Sequence, residues 1–330
     1  MKNNIKVFFV LFFFIFSFLL LSGEECIGNV CKVNCNQKQK EITYLSFDYG
    51  VSTNFEFVGV EELKNPENYF EYYRFKYEND LLRTIEYYQQ NKLKNGGIFG
   101  VAKIIIIYDS LNKELIFKDK DDNQIKTSDG VYRMKFFYQV FKDKKGKELK
   151  LVVKNINFDE NGNQVRDYCG VVEYRFLYDS DGKCVEQQHF ENGEIAEDQY
   201  GCAKIKWKYD NKGRLIEESF YDKNNSLKSA NELFVPIKRW KYDDKGRMIE
   251  ESYHDEKGNL KESFIVGYAK KGFVYNSKGQ LEKIFYTDEE DMLVNNVYGY
   301  AVEIFQYKEN GSVGVTKYLN KNGMEVFPKF

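Results

Sequence analysis

An all-β array of antiparallel hairpins is the architecture to expect of this sequence, on three grounds. A unit of about 32 residues recurs in register, its strands alternate strictly between apolar and charged residues, and an Asp-x-x-Gly turn punctuates each pair of strands. Either an elongated, solenoid-like stack or a continuous twisted sheet would satisfy that pattern.

The unit is anchored on a tyrosine. Tyr178, Tyr209, Tyr242, Tyr275 and Tyr307 open YDSDG, YDNKG, YDDKG, YNSKG and YKENG, at spacings of 31, 33, 33 and 32. Four residues on stands Gly182, Gly213, Gly246, Gly279 or Gly311, and two residues back Phe176, Trp207, Trp240, Phe273 or Phe305. Eleven residues on are His189, Phe220, Tyr253, Tyr286 and Tyr318. Eight back are Gly170, Gly201, Gly267 and Gly299, with Phe234 breaking the set. In AKIKWKYD, Ala203, Ile205, Trp207 and Tyr209 share one parity and Lys204, Lys206 and Lys208 the other, which is a strand with one apolar and one solvated face. Asp and Gly then bracket a turn, RLIEESFY returns as the second strand, and a second turn such as DEKGNL follows.

One such unit cannot stand alone. Burying each large aromatic contributes roughly 1.5–3 kcal/mol, whereas ordering each residue costs about 1–2 kcal/mol. Neighbouring copies must therefore stack, as in any repeat array. On this reading Tyr209 lies near Tyr178 and Tyr242 in an aromatic ladder, with its parity facing the core.

Taken in chain order, residues 1–23 belong to another regime. Lys2 and Lys6 precede the near-continuous apolar run Val7–Leu21, and the small residues Ser22 and Gly23 follow, the layout of a secretory signal peptide. The run is shorter than the roughly 20 residues of a spanning helix, so an uncleaved N-terminal membrane anchor is the alternative. Glu24 and Glu25 before Cys26 argue against a lipid anchor. An extracytoplasmic location follows: periplasm, outer surface or secreted, with no membrane span once the signal is cleaved.

Residues 24–64 form a Cys-containing segment and a cap for the first edge of the array. The array itself occupies 65–330 in about eight units, the first three worn. Tyr108 follows Tyr77 by 31, GVAKIIIIYD (100–109) parallels GCAKIKWKYD (201–210), and a further copy runs through FFYQVFKDKKG (136–146) with its register shifted by about one.

The six cysteines, Cys26, Cys31, Cys35, Cys169, Cys184 and Cys202, are an even count in an oxidising compartment, which suggests disulfides of undetermined pairing. A metal site is not expected, because no C-x-x-C occurs and His189 and His254 are far from the cysteine cluster in sequence. No cofactor is expected either. Asp119–Gly130 resembles a calcium loop but carries Gln124 and Gly130 where such a loop needs Gly and a bidentate Glu. Glu217/Glu218 and Glu250/Glu251 are adjacent strand residues, so each pair splits across the two faces and cannot share a cleft. With 49 basic and 51 acidic residues the chain lacks the basic excess of a nucleic-acid binder. Nothing here predicts an enzyme.

The segments at Tyr209–Leu215 and Tyr242–Met248, Tyr-Asp-x-x-Gly-Arg-Leu/Met, resemble the YD repeats of bacterial RHS-type exported proteins. The resemblance implies β-rich repeats, extracytoplasmic use and, in large members, a shell enclosing a C-terminal toxin. The period here is longer, about 32, and the last unit runs to Phe330, so no enclosed payload is expected. The function expected is an exported, non-enzymatic envelope protein that binds a glycan or protein partner or serves as structure. The alternative is a carboxylate-dependent hydrolase or toxin-related secreted protein, to be sought where the repeat breaks, at 119–130 and 189–200.

Overall fold

Six of the eight hairpins reverse direction through the same physical device, a short loop whose fourth residue is a glycine with a left-handed backbone. The computed structural model describes residues 39–229, 231 and 234–329; the expected signal peptide at 1–23, Cys26, Cys31 and Cys35 lie outside them. The chain opens with β1 (Gln39–Asp48) and β2 (Val58–Glu62). Eight hairpins follow. They begin with β3 (Glu71–Glu78) and β4 (Leu81–Gln89), the latter with a short return β5 (Lys92–Leu93), then β6 (Lys103–Asp109) and β7 (Asn112–Lys118). Next are β8 (Arg133–Lys142) and β9 (Glu148–Phe158), then β10 (Glu173–Tyr178) and β11 (Cys184–Glu191), with its return β12 (Glu194–Ile195). The last four are β13 (Lys204–Tyr209) with β14 (Leu215–Tyr221), β15 (Ile237–Tyr242) with β16 (Met248–His254), β17 (Lys270–Tyr275) with β18 (Leu281–Thr287), and β19 (Val302–Tyr307) with β20 (Val313–Leu319).

All pairings are antiparallel and all strands belong to one sheet. β1 lies between β2 and β3, each hairpin pairs with the next, and β2 and β20 each have one partner, so the sheet is open rather than a barrel.

The Asp-x-x-Gly turn explains the regularity. Asp210 Oδ1 accepts the N–H groups of Lys212 and Arg214, both at 2.9 Å, and Gly213 takes φ +80°. The pairing register slips by one between Lys208 and Tyr209, a glycine bulge of the kind that follows a tight turn. The same slip occurs at Tyr178, Tyr242, Tyr275 and Tyr307. The turn that begins at Asp119 has this geometry too, with Asp122 at φ +67°, so it is an ordinary repeat turn. The upstream units are worn because their turns are different: β3–β4 uses Asn79-Asp80 and β6–β7 uses Ser110-Leu111, two-residue loops without the glycine. The irregular stretch at 189–200 has the same origin, a two-residue Asn192-Gly193 turn joining β11 to β12.

The bulge aims each anchor tyrosine at the hairpin before it. Tyr209 Oη donates to the Cys184 carbonyl at 2.9 Å, Tyr242 to Leu215 at 2.9 Å, Tyr275 to Met248 at 2.8 Å and Tyr307 to Leu281 at 2.8 Å. Tyr178 reaches the Val152 carbonyl at 2.5 Å. Arg214 completes the clasp, pinned to its own Asp210 and lying 4.7 Å over the Tyr242 ring; Arg247 does the same with Asp243 and Tyr275 at 4.4 Å. The expected ladder of stacked anchor tyrosines is therefore replaced by hydroxyl-to-carbonyl and cation-to-ring links. Ring-to-ring contact runs elsewhere, at the far end of the strands, through Tyr253, Tyr268, Tyr286, Tyr300 and Tyr318, stacked in the first pair and tilted or edge-on in the rest, with neighbouring centroids 4.7–5.8 Å apart.

The aromatic two residues before the anchor is not uniformly core. Phe176 is buried, but Trp207, Trp240, Phe273 and Phe305 are half-exposed. The difference is a loop. Between β1 and β2 the chain lays Tyr49–Phe57 across the apolar face of the upstream hairpins, with Phe55 4.9 Å from Phe176 and 5.3 Å from Phe136. Asn54 grips β9 through the Lys150 carbonyl and the Val152 N–H, both at 2.9 Å. Trp207, Phe273 and Phe305 pack against the core without being sealed in it.

The loop is latched by a buried lysine. Lys113 has no exposure; its ammonium donates to the Phe55 carbonyl, lies 3.2 Å from Glu56 and faces the rings of Phe57, Phe136 and Tyr138. Burial pushes its pKa from 10.5 down to about 8, against the opposing pull of Glu56.

Two predictions follow from this anatomy. Gly246→Ala meets nothing nearer than Arg214 Nη1 at 3.9 Å, so its cost is conformational, about 1–2 kcal/mol, at φ +84°. Tyr242→Phe loses one hydroxyl bond, about 0.5–1.5 kcal/mol; urea denaturation of both variants checks the pair. For Lys113, the folded chain releases a proton near pH 8 that the unfolded chain keeps until 10.5, so stability rises across that window. Above pH 10 buried tyrosines such as Tyr73, pushed up to about 12 mainly by burial, reverse the trend because the unfolded chain ionises first. Across pH 8–10 the urea midpoint should have a more positive slope against pH in the parent chain than in Lys113→Met, the buried thiols and tyrosines contributing equally to both; an unchanged slope in the variant contradicts the assignment.

Candidate functional site

Several exposed apolar side chains sit on a third turn of the unit, the lead-in to the first strand. This turn is a five-residue loop like the others, headed by a side-chain oxygen: Thr127, Asp167, Asp198, Asn231 or Asn296 accepts the N–H four residues on, at 3.3, 3.0, 2.9, 3.3 and 3.4 Å. The glycine of this turn stands out in the sequence, whereas its capping residue varies between Thr, Asp and Asn, although the spacing matches the other turns. Successive lead-in turns hydrogen-bond to one another through the backbone. Ser128 N–H donates to Phe99 O at 3.0 Å, Gln199 to Cys169 at 2.8 Å and Val297 to Val266 at 3.1 Å.

The turns thus form a rim in which most units present an apolar side chain outward, the turn at Thr127–Gly130 being the exception. Tyr168 is 68% exposed, Phe264 67%, Ile98 53% and Val297 51%, with Phe234 and Tyr200 also exposed. Phe234 and Phe264 touch on this surface, ring centroids 5.0 Å apart. Phe234 also explains its break from the glycine pattern: it adopts φ +54°, the left-handed conformation its glycine counterparts supply elsewhere. A bulky residue held there costs about 1–3 kcal/mol, so the chain carries backbone strain where it displays an aromatic ring. With one hairpin per unit and strands about 4.8 Å apart, the rim repeats roughly every 9.6 Å.

The remaining candidate residues resolve as follows. Glu217 binds Lys208 at 2.7 Å and Arg239 at 2.8 Å on one face, while Glu218 accepts Trp207 Nε1–H at 2.8 Å and meets Lys238 at 3.4 Å on the other. Burial alone would raise the Glu217 pKa, but its two cations outweigh this and lower it. Glu250 pairs with Lys241 at 2.8 Å and Glu251 accepts from Tyr253 at 2.7 Å. These carboxylates serve strand pairing and share no cleft.

His254 does have a serine beside it, which sequence alone did not reveal. Ser252 Oγ lies 3.0 Å from Nε2, but Ser252 is 1% exposed and Nδ1 meets the Gly258 carbonyl at 3.1 Å rather than a carboxylate. A serine sealed from solvent cannot receive a substrate. Burial, then Arg239, lowers the His254 pKa.

Cys184 and Cys202 are free, buried thiols, contrary to the disulfide expectation for them. They stand in apolar positions inside the array, donating to the carbonyls of Glu186 (3.6 Å) and Lys204 (3.3 Å). Burial pushes both thiols up to about 12. Cys169 is half-buried in the lead-in turn after Asp167. His189, distant from the first cysteine cluster in sequence, is brought beside Cys202, its Nδ1 2.9 Å from the Cys202 carbonyl.

No helix among the described residues is long and apolar enough to cross a membrane. No protein-family model and no curated protein sequence matches the chain. Among solved structures it is similar to the crystal structure of TcdB2-TccC3-TEV, at 11% identity over 75% of this chain and 14% of that one, TM-score 0.33. It is also similar to TcdB2-TccC3 without hypervariable C-terminal region, at 12% identity over 84% and 14% of the two chains, TM-score 0.32. The chain spans about 14% of the length of these structures, and the likeness is distant.

Proposed function

We propose that this is an exported, non-enzymatic repeat protein of the cell envelope that holds an extended glycan along its lead-in rim. The observation that carries the reading is the row of exposed aromatic and apolar side chains, one turn per unit, with Phe234 kept in a strained conformation within it. Exposed apolar side chains aligned in this way, with Phe234 and Phe264 in contact, form a candidate binding surface. The rim's backbone groups favour a sugar over a peptide strand. Several of their N–H and carbonyl groups are engaged in turn caps and in bonds to the next turn, so the rim offers ring faces more than a free edge for strand addition. A non-enzymatic role accords with the carboxylates, each engaged by a cation or a donor, and with the sealed Ser252. Export rests on the leader-like layout of residues 1–23.

The test is a glycan array probed with the chain, with Phe264→Ser and with Phe234→Gly. Glycine suits the backbone at 234, so that variant should unfold at the same or a higher temperature. Retention of an extended glycan by the parent chain, weakened at least tenfold in both variants, is the expected result. If no glycan is retained, or if both variants bind as well as the parent, the reading is wrong and a protein partner takes its place.

A further inference from the structure

One unit breaks the repeat at two buried positions that meet in space beside a third residue. Where the second strand of a hairpin ends, its N–H donates to the next lead-in segment. His189 does so to Ala203 at 2.9 Å, Phe220 to Pro236 at 3.0 Å, Tyr253 to Ala269 at 2.9 Å and Tyr286 to Ala301 at 2.9 Å. Phe220, Tyr253 and Tyr286 are buried rings, and His189 fills the same slot at 3% exposure. Facing that slot is the residue after the lead-in glycine position. It is Val131, Val171, Val235, Tyr268 or Tyr300 in other units, and in this one Cys202, 1% exposed. The capping residue of the same lead-in turn is Asp198, whose side chain is 10% exposed and whose Oδ2 lies 3.9 Å from His189 Nδ1. Imidazole and thiol therefore replace an aromatic–aliphatic or aromatic pair in the one unit where they adjoin each other and a carboxylate. The ligand atoms of the three residues all lie within 4.8 Å of one another.

We propose that His189, Asp198 and Cys202 bind a zinc ion. The donor set is nitrogen, oxygen and sulfur, which suits zinc and excludes the oxygen-seeking calcium and magnesium ions. Charge agrees: the Cys202 thiol releases its proton to solvent on binding, and thiolate, carboxylate and divalent ion sum to neutrality, as an enclosed site requires. Tetrahedral zinc holds its ligands at about 2.0–2.3 Å, so the three atoms draw in to roughly 3.3–3.7 Å apart, with a fourth position for water. His189 Nδ1 gives up its bond to the Cys202 carbonyl. Gln187, whose amide lies 3.1 Å from Nε2, turns its oxygen to accept Nε2–H and fixes the ring. Serving as a packing residue does not account for the pair, since valine and an aromatic do that in the next unit.

The experiment titrates the chelator-treated full chain with cobalt and then zinc, in a background with Cys26, Cys31 and Cys35 changed to Ser. Two variants restore the neighbouring unit's residues, His189→Phe and Cys202→Val, which that unit already accommodates. The expected result is one ion per chain, a thiolate-to-cobalt charge-transfer band displaced by zinc, and loss of the band with at least a thirtyfold weaker zinc affinity in each folded variant. Should one variant fail to fold, the other decides. Absence of the band, or binding that neither variant weakens, overturns the site.

Discussion

From β10 onward, the sheet is fastened by a tyrosine hydroxyl that reaches back from each hairpin to a carbonyl of the one before. Backbone pairing alone ties neighbouring hairpins through three residues, as between Glu217–Ser219 and Ile237–Arg239. The Tyr242-to-Leu215 bond fastens the opposite, turn-bearing end of the same strands, where pairing has already ceased. For the hydroxyl to point there, the strand must slip by one residue at the tyrosine, and the left-handed glycine four residues on produces that slip. Asp caps the turn, glycine turns it, Arg braces the next ring: the Tyr-Asp-x-x-Gly-Arg string is a single joint written in sequence order.

That joint was legible only in part. Period two and the Asp-Gly spacing are local signals, and they indicated hairpins and turns correctly. The partner of each tyrosine lies 25–27 residues away and is a backbone carbonyl, a group every residue possesses, so no side-chain pattern could disclose it. The burial of Trp207 and Trp240 was overread for a related reason. Alternation reports which face a residue occupies, whereas Phe176 alone in that row is sealed because Phe55, more than 100 residues upstream, lies on it. Lys113 was invisible for the same cause. A lysine at an alternating position reads as solvated until a distant loop closes over it.

Breaks in the repeat proved more informative about chemistry than the repeat itself. Some are substitutions of one turn for another, as at Asn192-Gly193, and carry no ligand of their own. Phe234 and the His189–Cys202 pair are different. Each departs from what its neighbours show to be sufficient for folding, one by accepting strain at the surface, the other by placing ligand-type atoms together in the interior. A repeat array supplies its own control for such judgements, since each unit shows what the others need for packing alone.

The central claim is that each unit downstream of Phe176 is joined to its neighbours by one repeated joint. Excising Asp210–Tyr242, one full period of 33 residues, tests it most directly, because Tyr209 is then followed by Asp243 and the joint is rebuilt in sequence. The account predicts a folded, β-rich protein with one cooperative urea transition whose steepness falls with the smaller surface exposed. A chain that fails to fold after this excision would show that the units are not interchangeable and would contradict the account.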